Sequence, residues 1–590
     1  MYSIDHPWIA EREATVCTWK FDYDRGYVSN MNVSLLNDFM SLSARQLRDY
    51  AEMIKTCGFT GIQVMDICAA WRASGSWKNV HDKFKLLADA CHRIGLNFTV
   101  WVWAAEFSGH GWTDPEAVYQ NADPSKPACE DPRVLRTFNK YYDIYADLAP
   151  YVDRVIAHFF DPGNLRDMPS IIYFVKLLAA KFRAVDPAVK LAVDTWGCPE
   201  DYPQALVDAG MDDVMLMELP LLPIWRAPGK RAAFREGVKK LGCDLGVWGW
   251  YTADMEIDQL AAMTVNGRVL KDVFDQTRAQ GDHVLVPRYW SEIDSYHILN
   301  FFSLYAAGHL LIDPEDDPDR LLRESARIVT GDNDVNDVNT SRLTSVLELI
   351  RDARSGDNWD TYWWTEPGYI LKNYDHARIL SRVNAAIDSL NALIAFEQGD
   401  RPVFKNEIEQ GDRPVFKNRL PISRLSLYRL MLPHLYQIRQ YAEFSGALAA
   451  LEEAVQTGAD KAELQKGVDA LKCDIPEYNC VTGLWGQPEA RAAFERVNAF
   501  CADNGLTPPG RSAESRYYQK RRLVDRLTVA QRGRSAQLWV EWTYYEGDML
   551  GTQYAHELLD ELCAEGVLIR NDRGQYALAA WDNYRFDISE

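Results

Sequence analysis

From residue 14 to about 315, apolar runs of five to eight residues alternate with amphipathic stretches, a strand–helix rhythm. The first run is Ala14–Trp19, followed by Ser43–Cys57, whose Leu47, Tyr50, Ala51 and Ile54 recur at helical spacing until Gly58. Further strands are expected at Gly61–Asp66, Asn97–Glu106, Arg154–Asp161, Lys190–Asp194, Asp213–Glu218, Asp244–Tyr251 and His283–Trp290. Helices are expected between them at Phe84–Ile94, Val134–Ala149, Ile171–Val185, Tyr202–Ala209, Ala232–Leu241 and Val269–Ala279, with a last one at Tyr296–His309. Eight such units in roughly 300 residues is the count that a closed parallel barrel requires. An open doubly wound sheet would carry a glycine-rich first turn, and neither GxGxxG nor GxxxxGK[ST] follows any run. The pattern therefore predicts an α/β fold, a (β/α)8 TIM barrel.

After Asp313-Pro the texture turns helical, with Leu321–Thr330, Leu343–Arg354, Ala377–Phe396, Ile422–Phe444 and Gly446–Leu471 as candidate helices. This segment contains a tandem copy: EQGDRPVFKN occupies 397–406 and again 409–418. One duplication is too few units for a solenoid and reads as a tolerated repeat in an exposed loop. From about 500 a smaller α+β region follows. Tyr554–Glu565, Gly566–Arg570, a turn at Asn571–Gly574 and Gln575–Leu578 would suit the helix and wing of a winged helix. Arg511, Arg516, Lys520, Arg521 and Arg522 add local positive charge, although a small appendage packed on the rest is the plainer reading. The expected division is a barrel over 1–315, a mainly helical domain over 316–500 and the α+β region over 501–590.

Composition narrows the partners. The 590 residues hold 64 Lys and Arg against 85 Asp and Glu, a net charge of -21, which disfavours nucleic acid and anionic membranes as partners of the whole chain. No stretch reads as a run of ~20 apolar residues, and the N-terminus has neither the basic nor the apolar region of a secretory signal. Eleven Cys without CxxC pairs suit reduced thiols, so a cytoplasmic location is expected. Nothing in the sequence speaks against a homo-oligomer.

The aromatic content changes the picture most: 19 Trp, 29 Tyr and 22 Phe. Barrel sites form at the C-terminal strand ends. On the expected strands, those ends carry Asp22, Asp66, Glu106, Asp161, Asp194, Glu218 and Glu292 among Trp103, Trp196, Trp248, Trp250, Tyr251 and Trp290. Carboxylates interleaved with flat aromatic faces fit glycosidic bond cleavage. One carboxylic acid protonates the leaving oxygen, a second carboxylate attacks or activates water, and rings stack on the sugar. Asp161, set in an Asp-Pro-Gly-Asn turn, and Glu218, after an apolar run that would raise its pKa, are the expected catalytic pair. Glu106, Asp194 and Glu292 stand in reserve, and the aromatics with Asp22 and Asp66 are expected to bind substrate. The competing reading of any one acid is a helix cap or an ion-pair partner, strongest for Asp66 and Asp194. His158 lies on a strand, but His81, His110 and His283 show no HxH or HExxH spacing, so neither metal nor cofactor is expected. No GxSxG is present, which sets a serine nucleophile aside.

The stretch Arg288–Pro314, with Asp316-Asp-Pro-Asp-Arg-Leu-Leu after it, resembles the junction between barrel and helical domain in TIM-barrel glycoside hydrolases. The bacterial α-glucuronidases and the N-acetylhexosaminidase-like barrel families are the likeness. The resemblance implies a glycoside hydrolase acting on a carbohydrate, and transfers no catalytic residue. Asp161 is followed by Pro rather than Glu, unlike the Asp-Glu pair of substrate-assisted hexosaminidases. Arg288, with Lys20 and Arg72, could grip a uronate carboxylate, but an Arg that neutralises neighbouring acids is the commoner role, so a neutral sugar is expected. The alternatives are a non-catalytic sugar-binding or regulatory protein and a metal-dependent sugar isomerase.

Overall fold

The computed structural model describes residues 2–17, 21–22, 27–28, 43–66, 77–103, 125–158, 167–195, 201–218, 228–249, 265–279, 287–293, 298–331, 337–354, 376–399, 424–471, 487–509, 520, 523–524, 527, 539 and 552–579. Eight parallel strands close into a barrel: β1 (Glu11–Cys17), β4 (Gly61–Asp66), β5 (Asn97–Trp103), β6 (Arg154–His158), β7 (Lys190–Asp194), β8 (Met215–Glu218), β9 (Leu245–Gly249) and β10 (Tyr289–Ile293). Each pairs with the next in sequence, and β10 returns to β1 through Glu11↔Tyr289 and Thr15↔Ile293. A two-stranded ribbon, β2 (Phe21–Asp22) and β3 (Tyr27–Val28), follows β1. The helices between barrel strands are α1 (Ala44–Thr56), α2 (Trp77–Arg93), α3 (Pro132–Ala146), α4 (Met168–Arg183), α5 (Tyr202–Asp208), α6 (Pro228–Leu241) and α7 (Gly267–Ala279). The predicted (β/α)8 barrel is the fold.

Local chemistry explains the helix ends. Ser43 accepts from the Gln46 backbone amide while the Gln46 side chain reaches back to Ser43, a capping box for α1. Asp131 and Asp167 cap α3 and α4, each ahead of a Pro in the first turn. Two expected strands shift. The first begins at Glu11 rather than Ala14. The eighth begins at Tyr289 rather than His283, because Pro287 interrupts the apolar run and cannot donate to a ladder.

The barrel interior explains the first of these shifts. Inward positions of its lower half are polar: Glu13 accepts from Thr99 (3.0 Å), Tyr289 (2.6 Å) and Arg154 (3.5 Å), and Gln63 accepts from Ser291 (2.7 Å) and Thr15 (3.2 Å). Burial pushes the Glu13 carboxyl above its ordinary range, against the pull of Arg154 and its hydrogen-bond donors. The alternation Glu11-Arg-Glu-Ala-Thr-Val is thus a strand whose polar side faces inward.

Beyond the barrel, α8 (Phe301–Ile312), α9 (Pro318–Thr330), α10 (Asp337–Arg354), α11 (His376–Gly399) and α12 (Arg424–Gln456) continue the same hydrophobic core, which runs unbroken from Ile9 to Ala442. The motif at this junction is a capping device. Asp313 accepts from the Glu315 amide, Asp317 from the Asp319 amide, and Arg320 is paired with Asp316 and Glu324. Over Ala377–Gln398, α11 has the length and mean hydropathy (1.2) of a membrane span, which the sequence expectation overlooked. In the fold its Val383, Ile387, Leu390 and Leu393 are buried core residues. The helix expected to break near Gly446 runs on to Gln456 and ends before Gly458, at φ +72°. A separate cluster of Leu451, Val468, Leu471, Val497, Cys501 and Leu506 joins α12 to α13 (Lys461–Ala470) and α14 (Gln487–Asn504), so α14 crosses the expected division at 500. At the C-terminus, α15 (Thr552–Ala564) precedes an antiparallel hairpin, β11 (Leu568–Arg570) and β12 (Tyr576–Leu578), as the sequence pattern suggested. The duplicated ten-residue segment lies outside the described residues, apart from 397–399 at the end of α11.

One glycine fixes how α8 seats on the barrel. A Cβ on Gly308 would overlap the Cys57 carbonyl group, 2.9 Å from its carbon, at the turn where Gly58 holds φ +89°. Both obstacles are backbone, so neither can rotate away. Gly308→Ala is expected to destabilise the protein by about 3 kcal/mol. A lowered urea midpoint measures it; an unchanged midpoint would mean that α8 can slide.

Candidate active site

At the C-terminal half of the barrel the inward residues change character. His158 ends β6 and Asp194 ends β7, and the imidazole Nδ1 is hydrogen-bonded to Asp194 Oδ2. The Trp101 ring lies 4.6 Å from the His158 ring at 35°, and Trp248 stacks on Trp101 at 5.5 Å and 29°. Exposure of these four side chains is 3% or less. Beside them, Thr195 donates to the Met217 carbonyl at 2.7 Å, tying β7 to β8. An acid, an imidazole and two indoles from four strands thus form the floor of the barrel mouth. Trp248 and Trp101 spend ring faces on each other, so Trp248 belongs to this floor.

Other expected site residues are placed differently. Glu218 has the register parity opposite to inward-facing Met217, and its Oε2 accepts from Arg235 Nε of α6 at 2.7 Å, both side chains fully buried. It points into the helix layer, away from the barrel axis. Glu292 also faces outward, accepting from the Trp290 indole at 2.6 Å. Trp290 itself packs against Phe274 (4.9 Å) and Trp8 (6.3 Å) as a core residue between β10 and α7. A Cβ on Gly249 would come within 2.9 Å of the Glu292 carboxyl carbon, so the glycine makes room for that acid. Arg288 requires the clearest correction. It precedes β10, at the N-terminal end of the barrel, 3.6 Å from Glu11 and 3.4 Å from Asp244. Glu11 opens β1 and also pairs with Arg154 at 2.5 Å. The sequence reading put Arg288 at the mouth because it extended the eighth strand backwards through Pro287.

Arg288→Ala is therefore expected to leave any preference between glucosides and glucuronides within about twofold of wild type. Its cost to stability should stay under about 1 kcal/mol, as for exposed ion pairs. Parallel assays of both substrates check this; a selective loss of the glucuronide would contradict the placement.

Asp66 closes β4 and Trp103 closes β5, with side chains outside the described residues; Asp22 lies on β2 in the same condition. Glu106, Asp161, Trp196, Trp250 and Tyr251, and likewise Lys20 and Arg72, lie outside the described residues. Sequence reasoning passed over Trp101 because it sits inside a strand, and weighed His158 as a metal ligand against the commoner role of a core residue or substrate hydrogen-bonder, without pairing it with Asp194. Among the described residues no group of three His, Cys, Asp or Glu is placed to hold a metal ion. Among the described residues Cys57, Cys91, Cys129, Cys243, Cys501 and Cys563 are not in disulfides.

The closed barrel with a mixed polar and aromatic floor at its C-terminal face defines the class of scaffold, a (β/α)8 barrel. No family model and no curated protein matches the sequence. Among solved structures, the chain is similar to a GH138 enzyme targeting pectin rhamnogalacturonan II (9% identity, 89% of this chain and 84% of the other, TM-score 0.47). It is also similar to CpGH84B (9%, 82% and 77%, 0.44) and to a family 89 glycoside hydrolase from Clostridium perfringens in complex with PUGNAc (11%, 90% and 64%, 0.42). These are distant likenesses, and the strand register by itself establishes the barrel.

Proposed function

We propose that the protein is a glycoside hydrolase acting on a neutral sugar at the C-terminal face of the barrel. The observation that carries this reading is the floor of His158, Asp194, Trp101 and Trp248. It brings hydrogen-bonding groups and indoles together at the one barrel end where such enzymes do chemistry. Two carboxylates near this floor serve as acid and as base or nucleophile. Asp161 keeps its role from the sequence reading. Glu106 replaces Glu218 as its partner, because Glu218 is committed to Arg235 behind the strand. In the sequence Glu106 and Asp161 each come three residues after a strand end, Trp103 and His158, and those two strand ends are paired. A neutral sugar is favoured because Arg288, the best-placed guanidinium in the sequence reading, sits at the other end of the barrel.

A panel of aryl glucosides, galactosides, mannosides and glucuronides, assayed beside calorimetric binding of the free sugars, tests the proposal. Turnover of a neutral glycoside is the expected result. Sugar binding without turnover of any glycoside would instead favour the non-catalytic, sugar-binding alternative.

A further inference from the structure

We infer that His309 is an acid-sensitive latch, which holds the end of α8, and with it the N-terminal segment, against the C-terminal end of α1. Three observations carry it. The imidazole of His309 is hydrogen-bonded to the Thr56 backbone carbonyl, in the last turn of α1, where carbonyls lack partners within their own helix. Its Nε2 is buried and meets no hydrogen-bond partner among the described residues, so the bond to Thr56 runs from Nδ1 and the ring proton sits there. Second, the ring is tightly placed. Tyr305, one turn earlier on α8, lies 4.3 Å away at 37°, and the neighbouring Gly308 abuts the Cys57 carbonyl. Third, the start of the chain hangs on the same junction. The Trp8 and Ile9 amides donate to the Ile312 and Leu311 carbonyls at 3.0 Å each, and Arg12 Nε donates to the Gly58 carbonyl at 2.8 Å. Lifting the end of α8 therefore loosens the approach to β1.

Protonation would give Nε2 a charge and an N–H without an acceptor, and both are costly where water is excluded. The acids that could compensate are engaged: Asp316 and Glu324 each pair with Arg320, and the Tyr305 hydroxyl lies 3.5 Å from Glu324. From the α1 side the titratable group is the buried Cys57 thiol. Burial accordingly holds the imidazole below its ordinary range, outweighing the upward pull of the Thr56 carbonyl, Asp316 and Glu324, while Arg320 pushes it down further. For a histidine depressed in the folded state, the unfolded chain takes up the proton first. The latch is thus fully effective above about pH 6.5 and weakens as the pH falls below it, until the folded imidazole is protonated as well.

Urea denaturation and amide hydrogen exchange of the full chain, between about pH 7.5 and about pH 5, test this. For each pH unit below about 6.5, the unfolding equilibrium constant of wild type should rise by up to about tenfold more than that of His309→Asn. The Asn amide can still donate to Thr56 but takes up no proton. In wild type the Trp8, Ile9 and Gly58 amides, corrected for intrinsic rates, should lose protection over this range ahead of those in β5, and in His309→Asn they should keep it. A second variant, Arg320→Gln, leaves the ring in place and frees Asp316 and Glu324 to favour the imidazolium, so the loss in acid should shrink. Equal pH slopes in wild type and His309→Asn would overturn the inference. So would an acid loss that Arg320→Gln leaves unchanged, or protection that fails at β5 together with the junction.

Discussion

Asp161→Asn and Glu106→Gln are each expected to lower turnover of the preferred glycoside by about 10³-fold while leaving the fold intact, the range that a single acid–base group supplies. In glycoside cleavage one carboxyl must carry a proton and the other must be ionised at the same pH, and replacing either with its amide preserves shape while removing that function. The two variants should differ in detail. An aryl glycoside with a good leaving group needs less acid assistance, so the variant lacking the acid should recover on it, and the variant lacking the base or nucleophile should not. Circular dichroism and the denaturation midpoint should match wild type in both. Full activity in both would remove these residues from the mechanism, and a matched loss of stability would make the effect structural.

Glu218→Gln should behave in the opposite way, with a loss of about 3–5 kcal/mol in stability. Glu218 and Arg235 are both fully buried at 2.7 Å, so the substitution leaves a guanidinium in the helix layer without its counter-charge. Such a charge is far costlier to strand than the pair is to keep. Arg235→Met should destabilise in the same way, whereas Glu218→Leu combined with Arg235→Met should regain most of the loss, because a well-packed apolar pair avoids the desolvation of two ions. Urea denaturation of the two single variants and the double variant gives the coupling directly. A Glu218→Gln protein as stable as wild type but inactive would return Glu218 to the catalytic pair.

Glu218 shows the limit of what could be read before the fold was known. It was expected at the site as an acid at the end of an apolar run. On a closed barrel that description covers two populations, since successive side chains alternate between the axis and the helix layer. Four residues of β8 with the burial pattern of a uniformly apolar strand contain no signal of which side is which. Glu292 and Trp290 share the ambiguity, and the structure turns both outward. For His158 and Asp194 the parity runs the other way, and their meeting depends on the stagger between β6 and β7.

The sequence by itself determined the number of strand–helix units, their order and most helix boundaries. These follow from local causes: apolar period, caps such as Ser43 and Asp131, and the interruption at Gly58. It also determined that acids and aromatics gather near the strand ends. Closure of the barrel decided the rest. Only closure puts Glu13 and Arg154 inside, Arg288 beside Glu11 at the N-terminal end, and His158 against Asp194 at the other. The physical reason is one of range. Propensity and capping act over a few residues, whereas the face of a strand is set by hydrogen-bonded neighbours 36 residues away for His158 and Asp194, or 276 residues away for Glu13 and Tyr289.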